Sequence, residues 1–250
     1  MVMTKKRYII FGSLVYLLAL IMTLPANLFS QQINSIHPRL QVSGIEGSLW
    51  HGQIDQLIIN NKPLQAVEWN FQPLALLLGR IQLGLSYADA ANNIHLDVAL
   101  GLGNSLQLHN ISGQISPSFV QSFTPYSVPA LHGTIIFSDV DLALAARRLQ
   151  MANGQLEWRG AAVELGQKVA LGNLLLLLEQ TEKGVKAVLS EQSGQLKGEA
   201  SALLAEDGRY TIEARFSPTS KGRHLERHLS LLLSKGPDGS YSQTMSGQLP

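Results

Sequence analysis

Leu174-Leu-Leu-Leu-Leu-Glu-Gln-Thr-Glu-Lys-Gly-Val-Lys-Ala-Val-Leu-Ser-Glu191 and Gly194-Gln-Leu-Lys-Gly-Glu-Ala-Ser-Ala-Leu-Leu-Ala-Glu-Asp-Gly-Arg-Tyr-Thr-Ile-Glu-Ala-Arg-Phe216 decide the fold. Glu182-Lys183-Gly184 and Glu206-Asp207-Gly208 are short glycine turns between β-prone runs: Leu174–Glu179, Val185–Ser190, Gly194–Ala202 and Arg209–Phe216. That is hairpin spacing. In the last run Tyr210, Ile212, Ala214 and Phe216 alternate with Thr211, Glu213 and Arg215, so one face is wet. Leu174 to Leu178 is apolar at every position, as in a strand covered on both sides. It carries the expectation of an apolar groove lined by Leu174, Leu176 and Leu178.

The same punctuation continues upstream. Strands are expected over Ile54–Ile59, Leu64–Phe71, Ile81–Tyr87, Asn93–Leu100 and Ser105–Ile115, with two more opening at Gly133 and Gly154. Glycines 44, 47 and 52 break the run from Gln41 to Ile54 as bulges or tight turns do. Pro73 to Gly79 predicts a short helix, with proline in its first turn and glycine at its end. Its leucines are expected in the core, since a stretch this short cannot span a bilayer, with a second membrane contact as the alternative. Further helices are expected at Ser118–Phe123, at Leu142–Gln150 and along the stripe Leu225, Leu229, Leu232, Leu233. Ser240–Leu249 closes as a strand. Gly-Gln plus an aliphatic residue recurs at Gly52, Gly113, Gly154, Gly194 and Gly247. It reads as a reused strand-opening unit, too unevenly spaced for a solenoid. The expected fold is mainly β: an antiparallel meander with a few short packed helices.

At the other end, Tyr8 to Leu24 holds no charge and follows Lys5, Lys6 and Arg7. As a helix it covers roughly 25 Å, and continuing to Phe29 brings it to the ~30 Å of a bilayer core. A cleaved signal peptide would want small residues near Leu28 and Phe29, so an uncleaved anchor is favoured. The basic flank predicts a cytoplasmic N-terminus and an exported body. The expected division is 1–29 for N-terminus and anchor, 30–40 for a linker and 41–250 for a β-rich domain.

The 250 residues include 19 basic and 18 acidic ones; without Lys5, Lys6 and Arg7 the balance is 16 to 18, about −2. That speaks against a nucleic-acid partner. There is no cysteine, hence no disulfide and no thiolate metal site. Only 15% of residues are charged, which points to apolar surface facing lipid or a partner. His224 and His228 stand one helical turn apart, but nothing near them supplies further metal ligands. His51 has no serine–acid partner at a recognisable spacing. No catalytic, cofactor-binding or metal residue is assigned. Trp50, Trp69 and Trp158 read as packing anchors between sheet and short helices, with an exposed aromatic contact row as the alternative.

These pieces, in this order, resemble the general secretion pathway protein N family of bacterial type II secretion. The carrying residues are the basic start and anchor, Gly44-Ile-Glu-Gly47-Ser-Leu-Trp50-His-Gly52, and Val67-Glu-Trp69-Asn-Phe-Gln-Pro73 leading to Leu77-Leu-Gly79-Arg80. Leu131-His-Gly133-Thr134, Gly154-Gln-Leu-Glu-Trp158 and the closing Gly247-Gln-Leu249 follow. The resemblance covers nearly the whole chain. It implies an inner-membrane protein of Gram-negative bacteria with a periplasmic body, serving the export of folded proteins by contacts with other secretion subunits. It implies no cofactor and no catalytic residue. The tryptophan-proline-leucine-glycine stretch is also similar to AsmA-type proteins, which implies as the alternative a lipid-handling sheet with an apolar groove.

Overall fold

The computed structural model describes residues 23–29, 40–101, 105–123, 129–145, 148–164 and 166–248, and positions 12, 13, 15, 16, 19 and 20. Most of the expected anchor, 8–24, and the linker, 30–39, lie outside them. Among the described residues no helix is long and apolar enough to cross a membrane. Gly12, Ser13, Val15, Tyr16, Ala19 and Leu20 are helical, and Val15, Tyr16 and Leu20 are exposed.

The rest is one antiparallel sheet of fourteen strands among the described residues. They are β1 (Leu40–Gly47), β2 (His51–Ile59), β3 (Lys62–Phe71), β4 (Ile81–Ala88), β5 (Asn93–Gly101), β6 (Ser105–Ile115) and β7 (Leu131–Ala145), then β8 (Arg148–Glu164), β9 (Lys168–Thr181), β10 (Gly184–Glu191), β11 (Leu196–Leu204), β12 (Arg209–Pro218), β13 (Ser234–Lys235) and β14 (Tyr241–Gln248). Each strand pairs with its predecessor, except that β14 pairs with β12 and leaves the two-residue β13 outside. The expected meander is therefore present, longer than the hairpin signals alone imply.

Register sets the faces. Directly paired residues share a face and alternate along each strand. One face carries Leu85↔Leu96, Val98↔Leu108↔Leu142 and Phe137↔Leu156↔Leu176↔Leu189↔Ala200↔Ala214. The other carries Gln155, Glu157, Lys186, Glu199, Thr211, Glu213 and Arg215. One apolar and one polar face thus run along the whole sheet. Apart from Leu225 and Tyr241, most of the buried apolar side chains are small or β-branched, among them Val67, Ile111, Val140, Ala152, Ala161 and Val185. A single layer offers no second layer to bury larger groups.

Because the chain is a meander, alternate turns fall on alternate rims. The first rim carries the β1–β2, β3–β4, β5–β6, β7–β8, β9–β10 and β11–β12 connections. Pro25 bridges to Ser48 there, and Leu49 N–H donates to Leu24 O at 2.9 Å. The second rim carries helix α1 (Pro117–Phe123) and a 3-10 turn, Ser220–Leu225, running into α2 (Glu226–Leu232). Leu225 is buried, whereas Leu233 is already extended.

Three expectations are corrected. Leu142–Gln150 is no helix but the end of β7 and the start of β8. Its apolar residues fall at helical spacing, yet Leu142, Leu144 and Leu149 all belong to the β7–β8 ladder. The Gly-Gln unit opens strands only at Gly52 in β2 and at Gly194 just before β11; Gly113 and Gly247 lie near strand ends and Gly154 lies inside β8. Gly154 adopts φ 119°, and a Cβ there would lie 2.6 Å from Asp139 O of β7, so this glycine permits a kink where the β7–β8 register shifts. Finally, Pro73–Leu78 forms the expected short helix, of 3-10 type with Gly79 left-handed at φ 70°, but its leucines are not in the core. Ala75 is buried, while Leu74, Leu76 and Leu77 are exposed. A 3-10 turn repeats every three residues, so one small residue faces the sheet and its neighbours face away.

Candidate functional site

The apolar face is concave. A cavity of about 440 Å³ is lined at once by Leu142 of β7, Leu178 of β9, Val185 of β10 and Met245 of β14. Six inter-strand spacings separate β7 from β14, roughly 29 Å along the sheet, so the sheet curls around this space. β8 and β10 agree: with β9 between them they approach within 8 Å, Cα to Cα, closer than the roughly 9.6 Å of two flat spacings. A second apolar cavity, about 250 Å³, lies at the other end of the same face beside Ala26, Ile45, Ile54, Trp69, Phe71 and Leu85. Ile212 and Met245 remain 37% and 54% exposed on this face.

Of the expected groove residues, Leu174, Leu176 and Leu178 sit on the concave face opposite Trp158, Leu156 and Gly154. Leu175 and Leu177 point to the polar face, and Leu177 is exposed. The remaining motif residues form two groups. Gly44, Gly47, Trp50, Gly52, Trp69, Pro73 and Gly79 gather at β1 to β4, and Gly133, Gly154 and Trp158 at β7 and β8. Gly52 pairs with Trp69, and a Cβ at Gly52 would lie 2.5 Å from the indole ring; the tryptophan lies flat over the glycine. The three tryptophans are half-buried. Trp69 Nε1 reaches Leu49 O at 3.4 Å and Trp158 Nε1 donates to His132 O at 2.9 Å. Trp50 packs on Phe71 with ring centroids 5.5 Å apart.

The polar face holds networks that no local motif announces. Asp141 Oδ1 accepts from Asn110 N–H at 2.9 Å and meets His109 Nδ1 at 3.3 Å, while Asn110 Nδ2 donates to Asp97 Oδ2 at 2.9 Å. Asn110 is itself left-handed, φ 53°, where the β6–β7 register shifts, so the two carboxylates clamp a bulge. Ser86 Oγ lies 2.9 Å from His95 Nδ1, but His95 Nε2 is 3.9 Å from Asp97. That is too long for the hydrogen bond that orients a nucleophilic triad.

At the β4–β5 turn, Asp89 accepts from Tyr87 OH at 2.6 Å, Asn92 Nδ2 at 2.8 Å and the N–H groups of Ala91 and Asn92 at 2.7 Å. Burial works against its ionisation, but these donors outweigh it and hold its carboxyl at about 2. Burial, with the Asp89 hydrogen bond and charge, pushes the Tyr87 phenol up to about 12.

A cavity of about 600 Å³ on the polar face brings Glu182, Lys183, Lys186 and Glu213 together. Two charges of each sign make no site for an ion. His51 meets Ser48 Oγ at 3.4 Å. His224 Nε2 reaches Ala170 O at 3.3 Å, and the Nδ1 atom of His228 is buried without a partner. Among the described residues no three His, Asp or Glu side chains converge as a metal site would require.

A family model described as type II secretion system (T2SS), protein N, matches residues 38–244. The type II secretion system protein N of Vibrio cholerae serotype O1 (strain ATCC 39315 / El Tor Inaba N16961) is 27% identical over 229 residues, covering 84% of this chain and 85% of its own length. No solved structure matches the chain. With the family model spanning nearly the whole sheet, the chain belongs to the protein N family of type II secretion systems.

Proposed function

We propose that the chain is a single-pass inner-membrane component of a type II secretion system. Its sheet body stands in the periplasm and supports export of folded proteins by contacts with other subunits, without catalysis. Family membership carries the secretion role. The uncharged stretch Tyr8–Leu24 behind Lys5, Lys6 and Arg7 supports the anchor and its orientation. The polar face, with Glu157, Glu199, Glu213 and Arg215, supports a solvated side open to partner subunits. A reporter that works only in the periplasm, fused after Pro250, is expected to be active. Activity only from a cytoplasmic reporter would contradict the orientation. A mature chain beginning near Ser30 would replace the anchor by a cleaved signal.

One observation favours a second reading, that the sheet handles lipid. The concave face is apolar from β2 to β14; Phe119 of α1 stacks on Tyr87 and Ala26 reaches its β1 end, but the cavity beside Leu142, Leu178 and Met245 is lined by strand residues alone. An open apolar groove of that kind suits acyl chains. Phospholipid retained stoichiometrically by the purified chain would favour it over contact with subunits.

A further inference from the structure

The exposed apolar side chains are unevenly distributed. Leu74, Leu76, Leu77, Ile81 and Leu100 are 75%, 50%, 83%, 49% and 49% exposed, and all lie on the first rim between β3 and β5. Ile81 pairs with Leu100, so the row continues from the 3-10 turn across the neighbouring strand. Further along the same rim the turns are charged: Glu182-Lys183 and Glu206-Asp207. The second rim opposite the leucines is polar, with Asn60-Asn61-Lys62 and Asp89 to Asn92.

The leucines also sit beside the outlet of the apolar N-terminal stretch. Leu24 and Pro25 are tied to Leu49 and Ser48, and two strand spacings, about 10 Å, separate that turn from the one after β3. The turn is built to present them. Pro73 starts it and left-handed Gly79 ends it. Buried Ala75 pins it to the sheet. Leu74 and Leu77, three residues apart, then share its outer side. Exposed Arg80 follows, a side chain able to lay its stem on apolar matter and hold its charge among lipid headgroups.

We propose that this rim is a second membrane contact, in which Leu74 and Leu77 insert into the outer leaflet of the anchoring bilayer. The sheet then stands on the membrane by its first four or five strands, and the charged turns of β9 to β12 are held clear of lipid. The proposal rests on the anchored reading above, because the anchor brings this rim to the bilayer.

The test uses the full chain, which has no cysteine of its own. Leu77→Cys, Leu231→Cys and Leu20→Cys are each labelled with a polarity-sensitive fluorophore. Each labelled chain is reconstituted into vesicles of phosphatidylethanolamine and phosphatidylglycerol carrying acyl-chain nitroxides. Leu77 and Leu231 are 83% and 77% exposed, so labelling either leaves the fold intact, and Leu231 lies on the second rim. The expected result is loss of most fluorescence at Leu77 and Leu20, and none at Leu231. Quenching at Leu20 but not at Leu77 overturns the proposal while the anchor stands. Quenching at neither overturns both. Equal quenching at Leu77 and Leu231 also overturns it, because the contact would then not belong to one rim.

Discussion

Trp69 shows what single residues do in a one-layer sheet. Its ring lies over Gly52 and lines a cavity with Ile54 and Leu85, yet it is only half-buried. A fully buried tryptophan costs about 3–5 kcal/mol on truncation; with half its surface still in water, Trp69→Ala is expected to cost about 2 kcal/mol. Urea unfolding in detergent should show a lower midpoint, with protease resistance falling in step. An unchanged midpoint with secretion abolished would instead make Trp69 a contact residue. The sequence marks tryptophans as packing anchors because their neighbours are glycines and prolines. It does not show how thin the packing is, since burial depends on a second layer that lies beyond any local pattern. The Asp97–Asn110–Asp141 clamp is invisible for a related reason: only the register of β5 to β7 brings these residues together.

Among the elements, hairpins with glycine turns are legible and the others are not. Glu182-Lys183-Gly184 and Glu206-Asp207-Gly208 announce β9–β10 and β11–β12. Ala146-Arg147 offers neither glycine nor asparagine, so the leucines around it read as a helix where β7 turns into β8. The β4–β5 turn is held by a carboxylate instead. Asp89 titrates at about 2 in the fold against an ordinary 3.8. A depressed carboxyl stabilises the folded state fully above the higher value, and that stabilisation is lost as pH falls through the lower one. Protection of the Ala91 and Asn92 amides, taken relative to their intrinsic exchange rates, should therefore fall between about pH 4 and pH 2, and Asp89→Asn should abolish that step. An unchanged acid profile in the variant would show that the turn does not depend on this carboxylate.

For the whole molecule, alternation is the legible feature and curvature the hidden one. Tyr210, Ile212, Ala214 and Phe216 reveal one apolar face in a single strand. That the face continues through the sheet and closes into a groove follows from register and from bulges such as those at Asn110 and Asp139, both at positive φ. The continuous apolar lining also explains why a chain with only 15% charged residues is not a compact core: its apolar residues line a groove and a rim. The function proposed here needs no reaction chemistry from either face, and it makes export the quantity to measure. In cells with an active type II system, removal of this chain is predicted to leave the folded exoproteins in the periplasm, and the full-length chain is predicted to restore them to the medium. Undiminished export in its absence, with the other subunits at normal levels, would contradict the account.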